Sequence, residues 1–150
     1  VISRQFDAGD GGDIRVAPEP KNMAGFKDLI VYQKAFELSR LIFRLSKRFP
    51  KEEIGSLTDE IRRSSRSIAA QIAEGYRKRR YPLPFIAKMV DADGENAETQ
   101  CWLDHAVACE YRTENDIKPR VALSEEIGKL LAGMIDHPEK YGAVDRTNRR

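Results

Sequence analysis

The stretch at residues 57–80, LTDEIRRSSRSIAAQIAEGYRKRR, constrains this chain more than any other. At about 100° per residue, Leu57, Ile61, Ile68 and Ile72 fall within roughly 60° of one another, the single apolar stripe of a helix that faces a core. Arg62, Arg63 and Arg66 point the other way. Between them and the stripe lie Ser64, Ser65, Ser67, Ala69, Ala70 and Ala73, small enough to admit another helix at close range. Such a helix belongs to an all-α protein and is packed on more than one side. Its far end runs into four consecutive cations, Arg77, Lys78, Arg79 and Arg80.

The flanking segments have the same period. A first helix is expected over residues 28–49, with Asp28 placed to cap it and Pro50 to stop it. It carries two apolar seams, Leu29, Tyr32, Phe36 and Phe43 on one and Val31, Ala35, Leu38, Ile42, Leu45 and Phe49 on the other. A helix in a monomeric bundle needs only a ~100° apolar face, so the excess implies a second partner, most simply another subunit. After a short linker, Ser56 with Asp59 makes a weak capping box for the second helix, and Gly75 ends its smooth part. A third helix at residues 84–111 again has two seams: Phe85, Met89, Ala92, Leu103 and Val107, then Val90, Ala97, Cys101 and Ala108. Asn96 falls in the first of these, where a polar residue fixes register at a cost in stability. The fourth helix, at residues 119–136, has one stripe built on Leu123, Ile127, Leu130, Leu131, Met134 and Ile135, and Pro138 stops it. No stretch has a strand period. The expected fold is an antiparallel up-and-down four-helix bundle at residues 26–137, between a disordered tail at 1–25 and a polar basic tail at 138–150.

Composition narrows the class. At 150 residues the chain is about one domain. No apolar run approaches the roughly 20 residues of a membrane span, and the start has no signal-peptide core. Cys101 and Cys109, placed on one helix about 12 Å apart at 1.5 Å per residue, are too distant to bond to each other. Together these features point to the cytoplasm. Met23, just before the first periodic segment, marks an alternative translation start to Val1. The net charge of +2 conceals a local +5 from residue 60 to 80 and −7 from 91 to 126. That polarity either steers a polyanion to one face or pairs faces of neighbouring helices and subunits.

Candidate sites are few. Gly9, Gly11 and Gly12 have neither a strand before them nor a helix after them, so they do not read as a nucleotide loop. Cys101, His105 and Cys109 share a helical face at spacings of four, but a structural zinc needs four ligands, and seam packing is the preferred reading over a metal-binding bundle. Glu95 and Glu98, with Glu74, lack the Glu-x-x-His of di-iron bundles and are expected to pair with basic neighbours such as Arg62 or Arg66. No catalytic motif can be assembled, and neither enzyme activity nor a cofactor is expected. The strongest candidate is the basic corner, where Tyr76 and Tyr81 flank Arg77, Lys78, Arg79 and Arg80, combining charge for phosphates with aromatics for stacking. Arg62, Arg63, Arg66, Tyr32, Phe36 and Phe43 are the candidate subunit interface.

Three ordered motifs, FKDLIVYQKAFEL, IRRSSRSIAAQIAEGYRK and DADGENAETQCWLDHA, resemble the four-helix-bundle proteins encoded in intervening sequences of 23S ribosomal RNA genes, over residues 26–135. That resemblance implies a helical subunit assembling into a ring-like homopentamer, most members having no assigned activity. The family is similar to the accessory variability determinant of diversity-generating retroelements, a basic barrel that binds reverse transcriptase and nucleic acid. By motif, Arg62 and Arg63 match the family's basic pair, and Ile72, Ala73, Glu74 and Gly75 its helix-ending signature. Ala70 stands where many relatives carry Pro, and His105 where an aromatic is common. The expected function is a non-enzymatic oligomeric scaffold that binds RNA, DNA or protein, the alternative being a pure protein adaptor such as a reverse-transcriptase accessory subunit.

Overall fold

The computed structural model describes residues 25–145 and 147, so the expectations for residues 1–24, Gly9, Gly11, Gly12 and Met23 among them, and for most of the last five residues lie outside the described part. Four α-helices make up the described chain: α1 (Ile30–Ser46), α2 (Leu57–Arg77), α3 (Pro82–Ala108) and α4 (Glu114–Asp136). Short 3₁₀ turns sit at Phe26–Asp28, Lys51–Glu53 and Pro138–Tyr141, and no strand occurs among the described residues.

Most helix boundaries differ from the sequence expectation, each for a local reason. Asp28 lies inside the first 3₁₀ turn, and the residue preceding α1 is Leu29, which has no side-chain cap. Helix α1 stops at Ser46, earlier than Phe49, because the chain tightens through Arg48 N–H to Leu45 O and Phe49 N–H to Ser46 O ahead of Pro50, whose ring disfavours helix in the preceding residue. The Ser56 side chain makes no cap for α2. Glu53 takes that role, its Oε2 accepting the Leu57 N–H at 3.0 Å, a carboxylate on the positive end of the helix. The real capping box is Thr113 with Asp116, which starts α4 five residues before Pro119. Pro119 then sits inside α4, and the carbonyl that it leaves without a helical partner belongs to the exposed Asn115. Pro82 is the first residue of α3, a position where its missing N–H costs nothing. At the other end Glu110, at φ 60°, turns the chain two residues past Ala108.

Helices α1 and α3 each pack on α2 and α4, and among the described residues the diagonal pairs do not approach. The side-chain pairs Lys88–Gln71 and Thr99–Ser64 run in opposite directions along α3 and α2, as antiparallel neighbours do. Lys34–Glu126 and Arg120–Leu41 repeat the relation for α1 and α4. The centre holds Leu38, Ile42, Ile61, Ile68, Ile72, Phe85, Met89, Leu103, Ile127 and Leu131, none of them accessible to solvent. Burying each such side chain contributes roughly 1.5–3 kcal/mol relative to leaving it exposed. Asn96 is buried as its seam position implies: its Nδ2 donates to Ser124 O at 2.9 Å and its Oδ1 accepts from Ser124 Oγ at 2.7 Å. Beside it Thr99 Oγ1 donates to Ser64 Oγ at 2.9 Å, so one polar layer joins α2, α3 and α4.

The core takes mainly one seam from each double-seamed helix, although Leu29 of the other seam at the start of α1 is buried as well. Val31, Ala35, Leu38, Ile42 and Leu45 are buried, whereas Phe36 and Phe43 remain 39% and 37% exposed on the outer side of α1. On α3 the outer seam is open as well, with Val90, Ala97, Cys101 and Ala108 all outside the buried core. Gly75, expected to end the smooth part of α2, instead lies buried within it, and the helix continues unbroken through Ala70 and Gly75 to Arg77. A β-carbon there would come within 2.5 Å of Met89 Cε and 2.8 Å of Lys88 Cβ, so the glycine serves the approach of α2 to α3.

Gly94, exposed in the middle of α3, has nothing within 4 Å of the corresponding position. Helix propensity favours Ala over Gly by roughly 0.8–1 kcal/mol, and Gly94→Ala is expected to raise the unfolding free energy by about that much. Gly75→Ala is expected to lower it, because overpacking of about 1–3 kcal/mol exceeds the propensity gain. Urea denaturation of the two variants beside the parent measures the opposite signs.

Candidate nucleic-acid interface

Helix α2 ends at Arg77 and α3 begins at Pro82, so the basic run occupies the tight reversal between them. Lys78 N–H closes onto Glu74 O and Gly75 O, and Tyr81 N–H onto Lys78 O. Arg77, Lys78, Arg80 and Tyr81 are exposed, and the Arg80 guanidinium carbon lies 5.8 Å from the Tyr81 ring centroid. Arg79 is half-buried, its guanidinium carbon 3.9 Å above the Tyr76 ring and its Nη1 donating to Tyr76 O at 2.8 Å. Tyr76 itself is only 2% exposed, which removes it as a stacking platform: four residues after Ile72, it continues the core stripe of α2 beneath Arg79. Of the two tyrosines flanking the run, only Tyr81 can meet a base.

Cations at the end of α2 complement its dipole. Among the described residues, no ion pair joins Arg77, Lys78, Arg79 or Arg80 to a carboxylate. The nearby Glu74 is engaged by Lys88 at 2.9 Å, and the hydrogen bond and charge of Lys88 hold its carboxyl below the usual range. An open cleft of about 760 Å³ lies at this corner, lined by Arg77, Arg79, Arg80, Tyr81, Gly142 and Thr147. The last two come from the segment after α4 and have no signal in the local sequence around the run. A second, apolar hollow of about 350 Å³ adjoins it, between Phe26 and Ala73, Glu74, Arg77 and Lys78.

The three arginines midway along α2 separate into two environments. Arg63 binds acids on two helices, with Nη2 to Glu98 Oε1 at 2.6 Å, Nη1 to Glu95 at 3.4 Å and Nε to Glu60 at 3.4 Å. It is thus Arg63, rather than Arg62 or Arg66, that pairs with Glu95 and Glu98, because it alone lies on the α3 side of the helix. Burial is the largest influence on both acids and raises each: Glu95, with Glu98 beside it, stays raised despite the Arg63 charge, whereas at Glu98 the hydrogen bond and charge of Arg63, joined by bonds from Glu95 and Trp102, together outweigh burial and leave it below the usual carboxylate range. Arg62 and Arg66 face α1 instead. Their guanidinium carbons lie 4.8 and 5.8 Å from the Phe43 ring, Lys47 Nζ lies 4.8 Å from it, and Arg62 Nε donates to Ser46 Oγ at 2.7 Å. Tyr32 and Phe36 continue this outer face of α1, with ring centroids 6.2 Å apart, and Phe26 packs edge-on against Tyr32 at 5.0 Å.

On α3, Cys101 Sγ is 3.8 Å from His105 Nδ1, and that nitrogen is 2.9 Å from Cys101 O. Cys109 lies just past the end of the helix, and both thiols are free and exposed. Among the described residues, no three His, Cys, Asp or Glu side chains converge in a geometry that would hold a metal ion. Glu74 stands apart from Glu95 and Glu98, on Lys88. A contact with no sequence signature ties the loops at the opposite end: Tyr111 donates to Glu53 Oε1 at 2.8 Å, and the bonded carboxylate pushes the phenol up to about 12. No helix among the described residues is long and apolar enough to cross a membrane.

A family model described as 23S rRNA-intervening sequence protein matches residues 27–133. The chain is also similar to the crystal structure of a protein with unknown function from the S23 ribosomal protein family of Bacteroides thetaiotaomicron, with a TM-score of 0.64 and 31% identity, covering 71% of this chain and 96% of that one. No curated protein matches the chain.

The Arg63 network gives a pH dependence with a defined sign. Glu98 has a lowered folded-state pKa, so its contribution is complete above the ordinary carboxylate value of 4.5 and is lost as pH falls through the folded value. Arg63 is half exposed, and Arg63→Ala is expected to cost about 0.5–1 kcal/mol at pH 7. The difference from the parent should shrink in acid as Glu98 takes up a proton. Urea denaturation of both proteins at neutral and acidic pH checks this.

Proposed function

The chain belongs to the 23S rRNA-intervening sequence protein family, and on that premise we propose that it is a non-enzymatic four-helix subunit, assembled in the cytoplasm into a ring-like homopentamer, that acts as a nucleic-acid-binding scaffold. The observation that carries this reading is the corner between α2 and α3, where Arg77, Lys78 and Arg80 stand exposed beside Tyr81 and no carboxylate forms an ion pair with them among the described residues. Exposed cations with no ion pair among the described residues, next to an accessible aromatic, are suited to phosphates and unstacked bases. A ring would repeat the corner on every subunit and multiply weak contacts into avidity.

The assembly is supported by apolar surface that the core does not use. Phe36 and Phe43 on α1 and Val90 on α3 stay exposed while the same helices fill the core from their other seams. Phe36 and Phe43 with Arg62, Arg66 and Tyr32 form the surface we assign to one neighbouring subunit, a basic aromatic face suited to the acidic outer side of α3 that carries Val90. The same face favours the second reading, an adaptor that engages a protein such as the reverse transcriptase of a diversity-generating retroelement without touching nucleic acid.

Light scattering is expected to give about five times the 17.1 kDa subunit mass, and Phe36→Asp with Phe43→Asp to reduce it to the monomer; a monomeric parent removes the ring. In gel-shift titrations with RNA and DNA, replacing Arg77, Lys78, Arg79 and Arg80 together by Ala is expected to abolish the shift at physiological salt. At low salt, where residual binding can be followed, the slope of log affinity against log salt is expected to flatten by roughly 0.7 for each phosphate no longer neutralised. A shift that survives this change moves the nucleic-acid site away from the corner, and a parent that shifts neither RNA nor DNA leaves the adaptor reading in place.

A further inference from the structure

The basic run is half of a site, and the other half comes from the end of the described chain. After α4 the chain makes a 3₁₀ turn at Pro138–Tyr141 and returns to the start of α3, where Tyr141 stacks on Phe85 at 6.2 Å and 25°. Tyr141 and Ala143 are 7% and 2% exposed, and Ala143 N–H closes the turn on Pro138 O. Between them Gly142, at φ 80°, takes a backbone form that other residues rarely adopt, and a β-carbon on it would stand 3.9 Å from Arg79 Cδ and Nε. Asp145 Oδ1 then accepts the backbone N–H and the hydroxyl of Thr147 at 2.9 and 2.6 Å, which sets Thr147 at the cleft. This segment is anchored in the core through Tyr141 and Ala143 and lines the cleft together with the arginines and Tyr81, Arg79 being held against Tyr76.

We propose that the segment carrying Gly142 and Thr147 is the second wall of a cleft that takes single-stranded nucleic acid, with the base on Tyr81 and its phosphates on Arg77 and Arg80. This rests on the nucleic-acid reading of the corner and goes beyond it in naming the form of the ligand and the element that closes the site. A duplex keeps its bases stacked inside and presents a convex row of phosphates, which a flat basic patch serves as well as a cleft. A concave site of about 760 Å³ with one exposed ring in its wall has room for an unstacked base between two surfaces. Tyr81 is 55% exposed, and Arg80 beside its ring can add a guanidinium plane.

The test uses the full chain, a dye-labelled oligouridylate of about ten nucleotides, within the span that one such module covers, and a duplex of equal length, read by fluorescence anisotropy. Single strand is expected to bind at least about tenfold more tightly than duplex, and Tyr81→Ala to lose about tenfold or more where Tyr81→Phe does not. Thr147→Glu puts a carboxylate into the wall and is expected to weaken binding about tenfold. Val144→Glu makes the same change of charge at a residue 42% exposed and outside the cleft lining, and is expected to stay within about twofold. Each of these positions is exposed, and thermal melts show that the variants remain folded. Equal effects of the two Glu variants, a neutral Tyr81→Ala, or duplex bound as tightly as single strand overturns the two-walled cleft while leaving the basic corner as a nucleic-acid site. If the parent binds neither oligonucleotide, or binds oligoglutamate more tightly than oligouridylate, the nucleic-acid reading itself fails and the cleft with it.

Discussion

The backbones of α2 and α3 meet at Gly75 so closely that one methyl group would overlap Met89 and Lys88. Much else follows from that contact. It draws Lys88 onto Glu74 and Gln71, and farther along the same pair of helices it sets the register in which Ser64 meets Thr99 and Arg63 meets Glu98. It also leaves only residues 78–81 to reverse the chain between two nearly touching helices. Four consecutive cations in an extended linker would spread apart; in this reversal they are held together, and the only large side chain among them that turns inward does so by lying on Tyr76.

Charge on α2 is divided by the helix period. Arg63 faces α3 and is consumed by three acids, whereas Arg62 and Arg66, one residue before and three after it, face α1 and meet an aromatic ring. A rotation of about 100° per residue is enough to send neighbours in sequence to different partners. The local excess of positive charge in α2 is therefore partly neutralised within the subunit and partly displayed.

The element types and the core were legible because periodicity is strong in this chain. The buried seam of α1, the stripe of α2 and the place of Asn96 all follow from counting residues. Boundaries were less legible, since they depend on groups that compete locally: Glu53 displaced Ser56 as the cap of α2, and the Thr113–Asp116 box started α4 ahead of a proline that looked like its beginning. Gly75 misled for a related reason, as glycine marks both helix ends and close approaches, and only the neighbouring helix distinguishes them. Of the candidate site, the cations were visible as a run. The spacing of Tyr76 from Ile68 and Ile72 continues the core stripe, a signal that its place beside the arginines concealed. Gly142 and Thr147 could not be found, because no local rule relates residues brought together by the return of the chain after α4.

The hydrogen bond from Tyr111 to Glu53, with Phe49 packed 5.9 Å from the same ring, makes the two ends of the bundle unequal. Two of the three interhelical connections are clasped together there, and the Glu53 carboxylate in the clasp also holds the first turn of α2. The opposite end carries the third connection, the first 3₁₀ turn and the segment leaving α4, whose Tyr141 stacks on Phe85. Through Glu53 the α1–α2 connection, the first turn of α2 and the α3–α4 connection are linked into one unit, so that loosening any one of them loosens the others. A molecule that engages the reversal would therefore dock at the end of the bundle away from this linked unit.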